Sequence, residues 1–165
     1  RNIGTGLLYV SLTSKSKPVN DTLPVISNNL RLDVTYTNLN GNPIKINELK
    51  QGTDFLAIVK VTNISASANY TDIALMHIIP SGWEIFNERM RNDDSVETPQ
   101  FTYQDIRDDR VMTYFDLDRG RAINIPVRLQ ATYTGSFILP ALQCEAMYDT
   151  SAHARTKAGR VNVVK

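Results

Sequence analysis

The chain has little of what most enzymes build their sites from. Of its 165 residues one is cysteine and two are histidine. Cys144 has no second thiol to bridge to, so an internal disulfide is excluded. Neither His77 nor His153 stands at ligand spacing from another His or Cys, which leaves a zinc site without support. An excess of one charge is also missing. The 18 basic and 17 acidic residues leave a net +1, which speaks against a nucleic-acid partner and against steering to acidic membranes. No run of about 18 apolar residues exists to cross a membrane as a helix. No leader peptide is visible, and the abrupt opening Arg1-Asn-Ile-Gly4 reads as a fragment cut from something longer. Glycine-rich phosphate loops, nucleophile elbows and EF-hand patterns are absent as well. Three Asn-x-Ser/Thr triplets occur, at Asn20, Asn63 and Asn69. They matter only in a host that glycosylates them.

What remains is ordinary globular material, 42% apolar and 21% charged. A domain of this length buries roughly 70% of its unfolded surface and needs no staples. The dominant period is two. Leu30, Leu32, Val34 and Tyr36 alternate with polar neighbours, as do Ile123, Ile125, Val127, Leu129 and Ala131; both read as half-buried strands. Pro126 places the second of these at an edge or a bulge. Phe55 to Val61 and Ile73 to Ile79 are apolar on both faces and read as central strands. Val111 to Leu117, Phe137 to Leu142 and Val161 to Val164 complete the set, and Leu7 to Leu12 adds one more in an alternative count. Asn38 to Pro43, Lys50 to Thr53, Pro80 to Gly82, Asp118 to Gly120 and Thr134-Gly135 supply turns. Residues 14–29 and 87–99 read as irregular connections, the latter a polar surface loop or one helical turn. The pattern predicts one all-β domain, an antiparallel immunoglobulin-like sandwich of about seven to nine strands.

The candidate chemistry is thin. His77, inside an apolar strand, reads as packed and hydrogen-bonded; His153 reads as solvated in a polar loop. Cys144 lies on a strand-like stretch without an activating elbow and reads as a small buried hydrophobe. The densest polar cluster is Tyr103 to Arg110. There Arg107 and Arg110 interleave with Asp105, Asp108 and Asp109, holding the carboxylates ionised, so a salt-bridged hairpin is expected in place of an acid–base pair. Trp83, after Pro80-Ser-Gly, is either a sugar-binding platform or a cap on the sandwich end. Met147 and Tyr148 follow the last long strand pattern. They either close the core or face something outside the domain.

Several motifs together resemble the C-terminal macroglobulin-like domain of bacterial α2-macroglobulins. They are Gly52-Thr-Asp-Phe-Leu-Ala-Ile-Val-Lys-Val-Thr-Asn63, Pro80-Ser-Gly-Trp-Glu-Ile-Phe-Asn87, Tyr103 to Val111 with Phe115-Asp-Leu117, and Ala131 to Phe137 with Pro140 and Cys144-Glu-Ala-Met-Tyr-Asp149. The resemblance implies that residues 1–165 form a single such domain, with residues 1–20 open to assignment as the tail of a preceding module. It implies a non-catalytic module of a broad-spectrum protease inhibitor serving bacterial defence, in a parent that is periplasmic or in the cell envelope and lipid-anchored elsewhere. No cofactor or metal is implied. The partners are the thioester domain and neighbouring macroglobulin domains of the same polypeptide, and target proteases through the parent. The family's thioester arises from a Cys-x-Glu-Gln motif. Cys144-Glu-Ala-Met lacks that glutamine, so the thioester lies elsewhere. Met147 and Tyr148 match the pair that covers it. The alternative reading is a stand-alone immunoglobulin-like module binding glycan or protein at the cell surface.

Overall fold

The computed structural model describes residues 5–7, 9–15, 24–86 and 101–165. The described residues hold thirteen strands and no helix. In chain order they are β1 (Ile26–Asn28), β2 (Leu30–Thr37), β3 (Glu48–Lys50), β4 (Asp54–Asn63), β5 (Tyr70–Ile78), β6 (Trp83–Ile85), β7 (Tyr103–Ile106), β8 (Arg110–Leu117), β9 (Ala122–Ala131), β10 (Gly135–Leu139), β11 (Gln143–Ala146), β12 (Asp149–Arg155) and β13 (Gly159–Val164). The all-β sandwich read from the sequence is the fold. The strands outnumber the seven to nine expected: the three-residue ladders β1, β3 and β6 are too short to leave a period in the sequence, β7 and β12 lie in stretches read as connections, and one apolar run divides between β10 and β11.

Three sheets form, ordered β1-β12-β11-β5-β8-β7, β10-β13-β3 and β2-β4-β9-β6. All pairings are antiparallel except β13 with β3. The four-stranded sheet is the common floor. One end of it packs under the six-stranded sheet, where Leu30, Val59, Val61 and Ile125 meet Ile73, Leu75, Phe115 and Cys144. The other end packs under the three-stranded sheet, where Phe55, Trp83 and Leu129 meet Leu49, Val161 and Val163. Each buried strand residue alternates with an exposed or half-buried neighbour, as in β9, because successive side chains point to opposite faces.

β4 and β5 are central in their sheets, as their two-sided apolarity predicts. Pro126 pairs with Ile58 of β4. Among the described residues β6 pairs with β9 only from Leu129 to Ala131, so Pro126, on a strand between β4 and β6, lies beyond the described part of the β6 ladder.

Several expectations fail; residues 14–29, read as irregular, include β1 at Ile26–Asn28. Phe137 to Leu142 is not one strand: Pro140 ends β10, and the chain crosses from the three-stranded to the six-stranded sheet before β11 begins. The segment around His153 is not a polar loop either, since Asp149–Arg155 form β12. Its inward residues are Ala152 and Ala154, whose small side chains carry too weak an apolar signal to read as a strand face. Residues 5–7 and 9–15 are exposed and belong to no sheet, so the further strand read at Leu7 to Leu12 is not found among the described residues. The loop read at 87–99 and the triplet at Asn20 lie outside the described residues.

Candidate functional site

The β11–β12 hairpin presents the most conspicuous side chains. β11 is held by β5 on one side and β12 on the other, with Cys144 opposite Leu75 and Ala154. Cys144 and Ala146 point into the core, and Glu145 points out. The ladder closes on the pair Ala146–Asp149, leaving Met147 and Tyr148 as a two-residue tip. Neither has a positive φ, so the turn is not one of the primed types that match strand twist. The mismatch is absorbed by a register shift between Glu145 and Ala146.

At that tip Met147 is 47% exposed and Tyr148 85%. A core role for the pair is thereby excluded. The Met147 N–H donates to the Asp72 carbonyl at 3.1 Å. The Tyr148 phenol has no hydrogen-bond partner among the described residues. A thioether and a ring standing clear of the domain can exclude water from a surface laid against them, and the phenol can bond at the rim.

Cys144 is buried, and burial with the Glu145 charge nearby pushes its thiol up to about 12. At neutral pH it is protonated and unreactive. His153 pairs with Glu145 on the opposite face of the sheet, so no Cys144–His153 nucleophile and base can form. It sits on a strand, contrary to the loop expected, with Nδ1 3.0 Å from the Thr150 carbonyl oxygen. His77 is buried beside Val111, as expected of a packed histidine. The expected hydrogen bond is missing at Nδ1, which has no partner among the described residues; burial lowers the ring to about 4.

The acidic–basic cluster forms the β7–β8 hairpin. The Arg107 N–H donates to the Arg110 carbonyl across its turn at 2.9 Å. Arg107 Nε donates to Asp105 at 2.9 Å, and Arg110 Nε donates to both Asp109 carboxyl oxygens at 3.0 and 3.1 Å. That bond, with the arginine charges, holds the Asp109 carboxyl below the usual range. Asp108 is exposed at the turn. Asp105 with Arg107 and Asp109 with Arg110 form local ion pairs at the connection, and the five residues gather no acid–base pair.

Trp83 is 2% exposed. Its ring meets Phe55 edge-on at 4.9 Å and Tyr36 at 6.1 Å, so it is core and offers no platform to a sugar. Among the described residues no three His, Cys, Asp or Glu side chains gather to hold a metal.

A family model described as the MG10 domain of bacterial α2-macroglobulin matches residues 30–150. The chain belongs to this family. Curated relatives carry the same name: an α2-macroglobulin of Pasteurella multocida is 27% identical over 95% of this chain, and one of Rickettsia conorii 24% identical over 96%. The chain spans only 8% of either protein. Among solved structures, Salmonella α2-macroglobulin reacted with methylamine superposes with a TM-score of 0.78 at 20% identity, over 90% of this chain and 10% of that one. Native Escherichia coli α2-macroglobulin, spanning domain MG7 to the C-terminus, gives 0.74 at 18% identity, over 92% of this chain and 25% of that one. The fold of this MG10 domain is thus the macroglobulin-like sandwich. Sequence reasoning missed Asp72, Asp116 and Asn29, which contact the hairpin directly or through one another. Asp72 falls just before the strand read at Ile73 to Ile79, and only the Asn28-Asn29 doublet hinted at an unusual backbone.

Proposed function

We propose that this domain is the C-terminal module of a bacterial α2-macroglobulin-type protease inhibitor. On this reading it packs against the thioester domain of its own polypeptide in the periplasm. Met147 and Tyr148 lie over the thioester and keep it dry until a protease cuts the bait region. Rigid-body displacement of the domain then uncovers it. The domain itself carries out no chemistry. The observation that carries the reading is the exposed Met147–Tyr148 tip on a hairpin whose other inward residues are buried. A large apolar side chain and an aromatic ring held out together make an interface anchor. That a Salmonella relative was crystallised after reaction with methylamine fits a family member whose reactive group small amines can reach. Glycan binding at Trp83 has no surface to use, since that ring is in the core.

The test is the pair Met147→Ala and Tyr148→Ala in the full-length parent. Before any protease is added, the double variant should release its thioester thiol to methylamine faster than the parent. The same pair in this chain should change stability by less than about 0.5 kcal/mol, as surface substitutions do. An unchanged thioester lifetime in the double variant rules the shielding role out.

A further inference from the structure

Two non-glycine residues among those described have a left-handed backbone, Asn29 with φ 56° and Asp72 with φ 53°. Such residues persist only where their surroundings impose the conformation. Both contact the same hairpin, one on each flank.

On the first flank the ladder between β5 and β8 is irregular. Between the pairs Tyr70–Leu117 and Ile73–Phe115, β5 places two residues, Thr71 and Asp72, against the single Asp116. This is a β-bulge, a device that re-aims the groups beside it. Asp116 closes it: its Oδ1 accepts the Asp72 N–H at 2.9 Å. The Asp72 carbonyl then accepts the Met147 N–H, just where the β5–β11 ladder has ended at Ile73–Ala146. On the second flank, Asn29 sits at the break between β1 and β2. Its Nδ2 donates to the Ser151 carbonyl at 3.1 Å, and its backbone bridges to His153. Its own carbonyl accepts the Ile64 N–H at 2.9 Å, which anchors it to the end of β4.

An unprimed two-residue turn does not match the twist of its flanking strands, so bonds from outside the hairpin bear on where its tip points. We propose that Asp72, braced by Asp116, and Asn29 are positioning residues that clamp the Met147–Tyr148 tip from both sides and set where it points. The consequence for function rests on the shielding role proposed above.

Two variants remove the clamps with little else. Asp116→Ala deletes the acceptor that closes the bulge. Asn29→Gly keeps the left-handed backbone and deletes the side-chain donor. Two conservative variants serve as rescues: Asp116→Asn keeps Oδ1, and Asp72→Gly keeps the carbonyl without a Cβ. In this chain, Asp116→Ala should speed Met147 amide exchange and Asn29→Gly should raise 15N-detected mobility over residues 146–151, while both rescues match the parent sequence. In the full-length protein, each clamp variant should react with methylamine about fivefold faster, the population shift that one lost hydrogen bond allows. Unchanged tip dynamics in both clamp variants overturn the proposal, as does an Asp116→Asn tip as loose as the alanine one. If Met147→Ala/Tyr148→Ala accelerates methylamine reaction but the clamp variants do not, shielding stands and clamping fails. If the clamp variants loosen the tip while the double alanine leaves the reaction unchanged, clamping stands and shielding fails.

Discussion

Replacing Asn63 by alanine should destabilise the domain by about 3 kcal/mol, roughly one for each of three side-chain hydrogen bonds. Asn63 ends β4 and is 1% exposed. Its Nδ2 donates to the Ala68 carbonyl at 2.9 Å and to the Leu117 carbonyl at 3.0 Å, and its Oδ1 accepts the Ser65 N–H at 3.0 Å. One side chain thus ties the four-stranded sheet to the end of β8 and shapes the turn into β5. Truncation leaves the Leu117 carbonyl buried without this donor, which makes the loss larger than a surface bond would give. Asn63→Asp tests the same point differently. It keeps the acceptor but sets a carboxylate against two carbonyls, so it should cost at least as much at pH 7 and recover part of that as the pH falls. The assay is urea unfolding followed by the fluorescence of Trp83, which lies in the core. An Asn63→Ala loss below about 1 kcal/mol, the value of one ordinary hydrogen bond, would refute the reasoning. The same geometry closes the Asn63 triplet to glycosylation, since both Nδ2 hydrogens are engaged inside the fold.

Two further outcomes follow from buried groups. His77 is lowered from 6.5 to about 4 by burial, so below pH 6.5 the unfolded chain binds a proton that the native state refuses. Stability should therefore fall between pH 6.5 and 4, by up to about 2.5 kcal/mol at pH 4.5 relative to a His77→Leu variant; parallel pH profiles for the two proteins would contradict this. A Cβ on Gly82 would lie 2.2 Å from the ring edge of Phe137. Gly82→Ala should cost about 1–3 kcal/mol by overpacking, and Phe137→Leu should relieve part of it; additivity of the two changes in a double-mutant cycle would deny the clash.

Period-two alternation identified β2 and β9, apolarity on both faces marked β4 and β5, and the runs at Val111 to Leu117 and Val161 to Val164 marked β8 and β13. Interleaved arginines identified the β7–β8 hairpin as a salt-bridged connection. These features depend on neighbours along the chain, and the sequence by itself determined them. It could not reveal β12, whose inward face is two alanines. Nor could it show that Pro140 divides one apolar run between two sheets, because sheet membership is a choice among distant partners. Burial of Trp83 and exposure of Met147 and Tyr148 lay beyond it for the same reason: each pair of readings was open until the sheets closed over one ring and left the other outside. Asp72 fell just before the strand read at Ile73 to Ile79, with nothing in the sequence to mark it. Its left-handed backbone exists because β5 must fit two residues against the single Asp116 while also meeting β11, a demand that only the assembled sheet makes.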